Sequence, residues 1–191
     1  MHVVAFNGSP RKNGNTSLLI GRVCAQLEAE GITTEVVQLG GQDIHGCRAC
    51  YRCFQTKDGR CVFDKDILNG CVAKMVAADG IIIGSPTYFA NVSAEVKALI
   101  DRAGLVSLAS GISLKRKVGA AVVAVRRAGA VSVFDAINHW FHLQQMIVPG
   151  ASYWNLGVGR EIGEVEGDEE GLRNMKVLGE NMAWLLKKTN A

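Results

Sequence analysis

Apolar runs alternate with stretches of helical period along the chain. HVVAF (2–6) is a short β-branched run that stops at Asn7-Gly8. From Thr16 onward, Leu19, Ile20, Val23, Cys24 and Leu27 fall on one face of a helix that Gly31 can close. TTEVVQL (33–39) predicts a second strand, and DILNGCVAKMVAA (66–78) predicts a helix with apolar positions at 67, 68, 71, 72, 75 and 76. GIIIGSP (80–86) is an unbroken apolar run of the kind buried on both faces of a parallel sheet. VSAEVKALIDRA predicts a further helix, KVGAAVVAV (117–125) a fourth strand and residues 130–145 a fourth helix. QMIVPGASYWN carries a short fifth strand. The last helix, near 168–188, opens on Asp168, Glu169 and Glu170 and closes on Lys187 and Lys188, matching the helix dipole at both ends.

Five strands alternating with five helices predict a doubly wound α/β fold, a parallel sheet between two helical layers. Residues 40–64 lack either period and read as a loop or insert after the second strand. The Gly- and Glu-rich stretch 157–171 reads as a mobile surface loop. With no internal repeat, low-complexity tract or Pro-rich linker, residues 1–191 are expected to form one domain.

A hydrophobic fraction of 48% can fill a core of that size. The net charge is only 21 − 18 = +3 and has no long basic block, which argues against nucleic acid or an anionic membrane surface as the main partner. No apolar stretch approaches membrane-spanning length and no cleavable leader is visible, so a cytoplasmic protein is expected. Thiols stay reduced in that compartment. Six cysteines, four of them within CRACYRCFQTKDGRC (47–61), therefore point to metal or redox chemistry rather than disulfides.

FNGSPRKNGNTS (6–17) follows the first strand and opens the first helix. Gly8 and Gly14 permit unusual backbone torsions, while Ser9, Asn15, Thr16 and Ser17 supply side-chain donors and Arg11 adds charge. Free amides at a helix start favour an anion there, so the loop reads as a phosphate site. Neither G-x-G-x-x-G nor the Walker pattern is present, which disfavours a dinucleotide fingerprint or a P-loop NTPase.

The loop NGSPRKNGNTS, together with ADGIIIGSPTYFANVSAEVKALIDR (78–102), resembles the NADPH-dependent FMN reductase branch of the flavodoxin-like superfamily. The resemblance runs from residue 1 to about 150 and implies sheet order 2-1-3-4-5, with FMN at the switch point between strands 1 and 3. It also implies a homodimer or homotetramer with flavin sites near subunit contacts. By the same resemblance Ser9, Arg11, Asn15, Thr16 and Ser17 hold the FMN phosphate, and Pro86, Thr87, Tyr88, Phe89 and Asn91 border the ribityl chain and isoalloxazine. Arg126 or Arg127, beyond the fourth strand, could meet flavin or a nicotinamide phosphate, or lie solvated at the surface.

Four thiolates from Cys47, Cys50, Cys53 and Cys61 suit tetrahedral zinc or a [4Fe–4S] cluster, and reduced thiols with no metal are the third reading. Three cysteines at successive x2 gaps with a remote fourth favour the cubane. C-x2-C-x2-C-x7-C also resembles the compact motif of the iron–sulfur flavoproteins, a subgroup of the same family. Cys24 and Cys71 fall on apolar helix faces and read as core, and His45 reads as solvent-facing. Arg48, Arg52, Lys57 and Arg60 make the insert basic, which offsets a cluster's negative charge. The combined expectation is a flavin-dependent oxidoreductase that passes electrons between a [4Fe–4S] cluster and FMN, supplied by ferredoxin or NAD(P)H. The alternatives are an FMN-only NAD(P)H oxidoreductase acting on quinones, nitroaromatics, flavins or metal oxyanions, and a non-catalytic flavin/cysteine redox sensor.

Overall fold

The computed structural model describes residues 1–189. β1 (His2–Asn7), β2 (Thr33–Gln38), β3 (Gly80–Pro86), β4 (Val118–Val125) and β5 (Leu156–Val158) form one parallel sheet in the order β2-β1-β3-β4-β5. The helices are α1 (Asn15–Ala29), α2 (Arg52–Thr56), α3 (Leu68–Ala77), α4 (Ala94–Ala109), α5 (Ala130–Leu143) and α6 (Glu169–Thr189). The doubly wound α/β arrangement is the one expected from the alternating pattern, and the strand order is the flavodoxin-like one that the family resemblance implied.

Strand periodicity sorts the core into two layers. Phe6, Ile81, Ile83 and Val123 face α3, α4 and α5, while Ala5, Ile82, Ala120 and Val122 face α1 and α6. All eight residues of β4 are buried, which is why both faces of that strand are apolar. Because every strand is parallel, the segments that follow them gather at one edge. The strand order reverses between β1 and β3, and this switch point leaves a crevice there.

Three sequence expectations are corrected. The fifth strand lies at Leu156–Val158, just beyond the stretch expected to carry it. Ile147 makes only an isolated bridge to Val118, and the chain bulges through Pro149, which has no N–H to give, before rejoining β4 where Val123 N–H donates to Asn155 O at 2.9 Å. The stretch 157–171 is not a free loop. Val165 is fully buried and packs beside Leu19 across Gly157, Glu164–Gly167 form a 3₁₀ turn, and Asp168 accepts from Gly171 N–H to cap α6. The insert contains a further helix, α2, of only five residues, too short to show a period.

Candidate functional site

Two sites open at the carboxyl edge of the sheet. The first is a cleft of about 240 Å³ floored by Ala124 and Val125 at the end of β4. Ser9, Arg11, Asn15 and Thr16 line one wall, Pro86, Thr87 and Tyr88 the other, and Arg126, Gly159 and Arg160 close the rim.

The loop between β1 and α1 is held by a chain of side-chain bonds. Asn7 Oδ1 accepts from Ser9 N–H (3.1 Å) and Asn7 Nδ2 donates to Gln38 Oε1 (2.9 Å). Gln38 Nε2 in turn donates to Ser9 O (2.7 Å) and Gly40 O (2.8 Å). Gly8 is obligatory here, since a Cβ would sit 2.2 Å from Val96 Cγ2 and 2.8 Å from Gly84 O. No side chain caps α1, whose N-cap is Gly14 in extended conformation. The first-turn amides therefore face the cleft without a protein partner of the capping kind. Three guanidinium groups and no carboxylate line the cleft, a charge set that fits a phosphate.

Asn15 has partners beyond the loop. Its Nδ2 donates to Glu161 O (2.9 Å) and its Oδ1 accepts from Gly163 N–H (3.0 Å), so from the cleft wall it also ties the post-β5 segment to α1. Thr87 N–H donates to Ala124 O (2.9 Å), while the Thr87 hydroxyl is buried with no hydrogen-bond partner among the described residues. A buried orphan hydroxyl in a cationic cleft fits a bound polar cofactor. Tyr88 and Asn91 close a two-residue turn by exchanging N–H···O bonds of 2.9 and 3.0 Å, with Phe89 and Ala90 at φ of 48° and 58°. That turn throws Phe89 wholly into solvent. Ser17, Phe89, Asn91 and Arg127 lie outside the cleft lining, whereas Arg126 lies within it. Arg160 and Gly159 escaped the sequence reading because only the long-range placement of β5 brings them here.

The second site lies in the segment between β2 and α3. Cys47, Cys50, Cys53 and Cys61 line one small cavity closed by Tyr51, Phe63, Arg102 and Leu105. Ala49 and Tyr51 adopt left-handed backbone at φ of 49° and 53°. Ala49 N–H donates to Cys47 Sγ at 3.4 Å. Cys53 lies in the first turn of α2 and is buried, and burial pushes its thiol pKa up. Among the described residues no three His, Cys, Asp or Glu side chains are gathered to hold a single metal ion. The gap between the thiols has about 20 Å³ of room, and Cys47 and Cys50 are exposed, so their χ1 rotation can widen it. Four thiols on one cavity with donors aimed at the sulfurs fit a polynuclear cluster.

Arg102 is the residue the sequence reading missed here. Its guanidinium, 2% exposed as a residue, forms an ion pair with Asp66 and donates to His45 O (3.1 Å), Phe63 O (2.7 Å) and Cys61 Sγ (3.4 Å). Burial pushes the Asp66 carboxyl up, but bonds from Arg102 and from the Leu68 and His45 amides outweigh it and hold the pKa below the ordinary carboxylate value. The available signal was an arginine on the apolar face of α4, three residues after Leu99 and four before Val106. Cys24 and Cys71 are core thiols, and burial pushes each up to about 11.

The family model for NADPH-dependent FMN reductases matches residues 1–161. The chain belongs to that family. As an FMN reductase family member it is a flavin-dependent oxidoreductase with FMN-dependent redox function. An iron-sulfur flavoprotein of Methanocaldococcus jannaschii is 37% identical over 98% of this chain and 98% of its own length. An iron-sulfur flavoprotein of Methanosarcina thermophila is 36% identical over 78% of each. The fold is shared with RosB, solved with bound 8-demethyl-8-formylriboflavin-5'-phosphate (TM-score 0.77, 20% identity, 100% of this chain and 80% of that one). It is shared too with the NAD(P)H:quinone oxidoreductase of Methanothermobacter marburgensis (TM-score 0.69, 13% identity, 95% and 98%). No helix among the described residues is long and apolar enough to cross a membrane.

Proposed function

We propose that this FMN reductase relative seats FMN in the cleft, holds a [4Fe–4S] cluster on Cys47, Cys50, Cys53 and Cys61, and works as an electron-transfer flavoprotein in a single flavodoxin-like domain. The observation that carries this reading is that all four thiols line one cavity. Their segment leaves β2 at the same edge of the sheet as the cleft. Relatives named iron-sulfur flavoproteins, matched along nearly the whole chain, support it.

When bound, FMN exchanges electrons singly or in pairs and a cubane exchanges them singly. The chain's own part is binding and placement. Ser9, Thr16 and the open amides of α1 receive the phosphate, with Arg11, Arg126 and Arg160 supplying charge. The unpartnered Thr87 hydroxyl gives the cofactor a buried hydrogen-bonding group, and Pro86 and Tyr88 offer flat apolar cover. Ferredoxin or NAD(P)H is the electron donor, and the working form is a homodimer or homotetramer.

The narrow gap between the thiols favours a second reading, an FMN-only NAD(P)H oxidoreductase with reduced cysteines. Cys50→Ala separates the two. The proposal expects the anaerobically purified variant to lose its iron and keep its FMN. Wild-type protein that holds flavin but no iron, or a variant that loses both together, would contradict it.

A further inference from the structure

Burying a guanidinium is costly unless its donors are met, and every hydrogen bond that Arg102 makes across the core goes to one segment of the chain. One nitrogen, Nη1, pairs with Asp66 and donates to His45 O, two residues before Cys47. The other, Nη2, donates to Phe63 O and to Cys61 Sγ. From the middle of α4, a single side chain thus fastens both ends of the cysteine segment to the core. The bland account is a buried ion pair that anchors a loop. That account explains Asp66 and the two carbonyls, but not a donor spent on a thiol sulfur, which is a weak acceptor until it becomes a thiolate. Nor does it explain why Arg102 lines the cavity of the four thiols.

The other positive charges nearby are poor candidates for tuning this site. Arg48, Arg52, Lys57 and Arg60 are all exposed, and Arg48 lies over the Phe63 ring, 4.3 Å from its centroid. Water and salt screen such charges. The Arg102 charge is shielded from both, and 3.4 Å separates its nitrogen from a sulfur. The Asp66 carboxylate meets the opposite nitrogen, so it opposes the Arg102 field without touching the thiols.

We propose that Arg102 is a positioning residue that holds Cys61 as the fourth thiolate of the cluster and raises the cluster's reduction potential, with Asp66 moderating the effect. The inference rests on the cluster reading above. Reduction adds one electron, supplied in the test by dithionite, and no bond forms or breaks at Arg102. Its fixed positive charge stabilises the added negative charge at the thiolates.

The test compares wild type with Arg102→Gln, Arg102→Lys and Asp66→Asn, each purified anaerobically with FMN. Iron and sulfide per FMN are measured, followed by a redox titration monitored by electron paramagnetic resonance. Arg102→Gln is expected to keep FMN but lose at least half its iron. Any cluster that remains should have a reduction equilibrium constant at least tenfold lower, a shift of about 59 mV for one electron. Arg102→Lys keeps the charge but not the fork, so its potential should lie closer to wild type while its iron content falls. Asp66→Asn removes the opposing charge, and its constant should rise at least threefold.

This opposite sign is what a merely structural arginine would not produce. Arg102→Gln with full iron and a constant within threefold of wild type overturns the inference. So does a shift of both charge variants in the same direction. Should Arg102→Gln also lose FMN, the sign for Asp66→Asn decides: a rise supports the inference, and no rise overturns it. Wild type with FMN and no iron overturns the cluster reading and this inference together, whereas iron-replete wild type with indifferent variants overturns this inference alone.

Discussion

Gly40 sits just beyond β2, and its Cα approaches the phosphate loop so closely that a Cβ there would lie 2.2 Å from Ser9 C, 2.5 Å from Ser9 O and 2.6 Å from Pro10 N. Ordinary carbon contacts need about 3.5 Å, so Gly40→Ala must push the Ser9–Pro10 peptide by roughly 1 Å. All three atoms are backbone, and no flexible side-chain tip can yield instead. The displaced peptide carries the oxygen that accepts from Gln38 Nε2 at 2.7 Å, so the bond fixing the loop is lost with it. Overpacking of this kind costs about 1–3 kcal/mol of stability. Losing one charge-assisted hydrogen bond to the phosphate costs about 1.5–3 kcal/mol of binding, or about 10- to 100-fold in Kd.

The assay is fluorescence titration of apo protein with FMN and, in parallel, with riboflavin. Affinity for FMN should fall about 10-fold or more while riboflavin, which lacks the phosphate, changes much less. Gly21→Ala is the control, because a Cβ at that α1 position meets nothing within 4 Å. It should stabilise the fold by up to about 1 kcal/mol and leave FMN affinity unchanged. A folded Gly40→Ala protein that binds FMN like wild type would refute the reasoning.

Thr87→Val removes a buried hydroxyl that has no partner, so thermal melts of the apo variant should show equal or higher stability while FMN affinity falls about 2- to 10-fold; a destabilised variant with unchanged affinity would mean the hydroxyl serves the fold. Iodoacetamide labelling of cluster-free protein at pH 8, read by mass spectrometry, should modify the exposed Cys47 and Cys50 and spare Cys24 and Cys71, whose buried thiols are pushed up to about 11. The Asp66 carboxyl titrates lower in the folded chain than in the unfolded one, so the stability it adds is present above its unfolded pKa, about 3.9, and is lost as pH falls through the folded value. Denaturant melts of wild type and Asp66→Asn should therefore differ at neutral pH and converge as acid protonates the folded carboxyl, and a gap that stays constant from neutral pH into acid would contradict the ion-pair account.

The central strands were legible because β1, β3 and β4 are buried on both faces and read as unbroken apolar runs. The strand-to-helix turn that forms one wall of the cleft stood out for a local reason as well, since glycine and hydroxyl residues crowd it. What escaped depends on partners far along the chain. β5 is three residues long and owes its position to pairing with Val123–Val125. The 159–165 segment is anchored by the side chain of Asn15, nearly 150 residues away, a bond that no local pattern announces. The cysteine spacing announced a site, but the cation that faces it lies on α4 and was concealed by a helix face that otherwise reads as apolar.

The central claim, that one chain carries both a flavin and an iron–sulfur cluster, is tested most directly by the cofactor content of protein purified without oxygen. The account predicts about four irons and four acid-labile sulfides for each FMN. One FMN with no iron, or with a single zinc in place of the cluster, would contradict it.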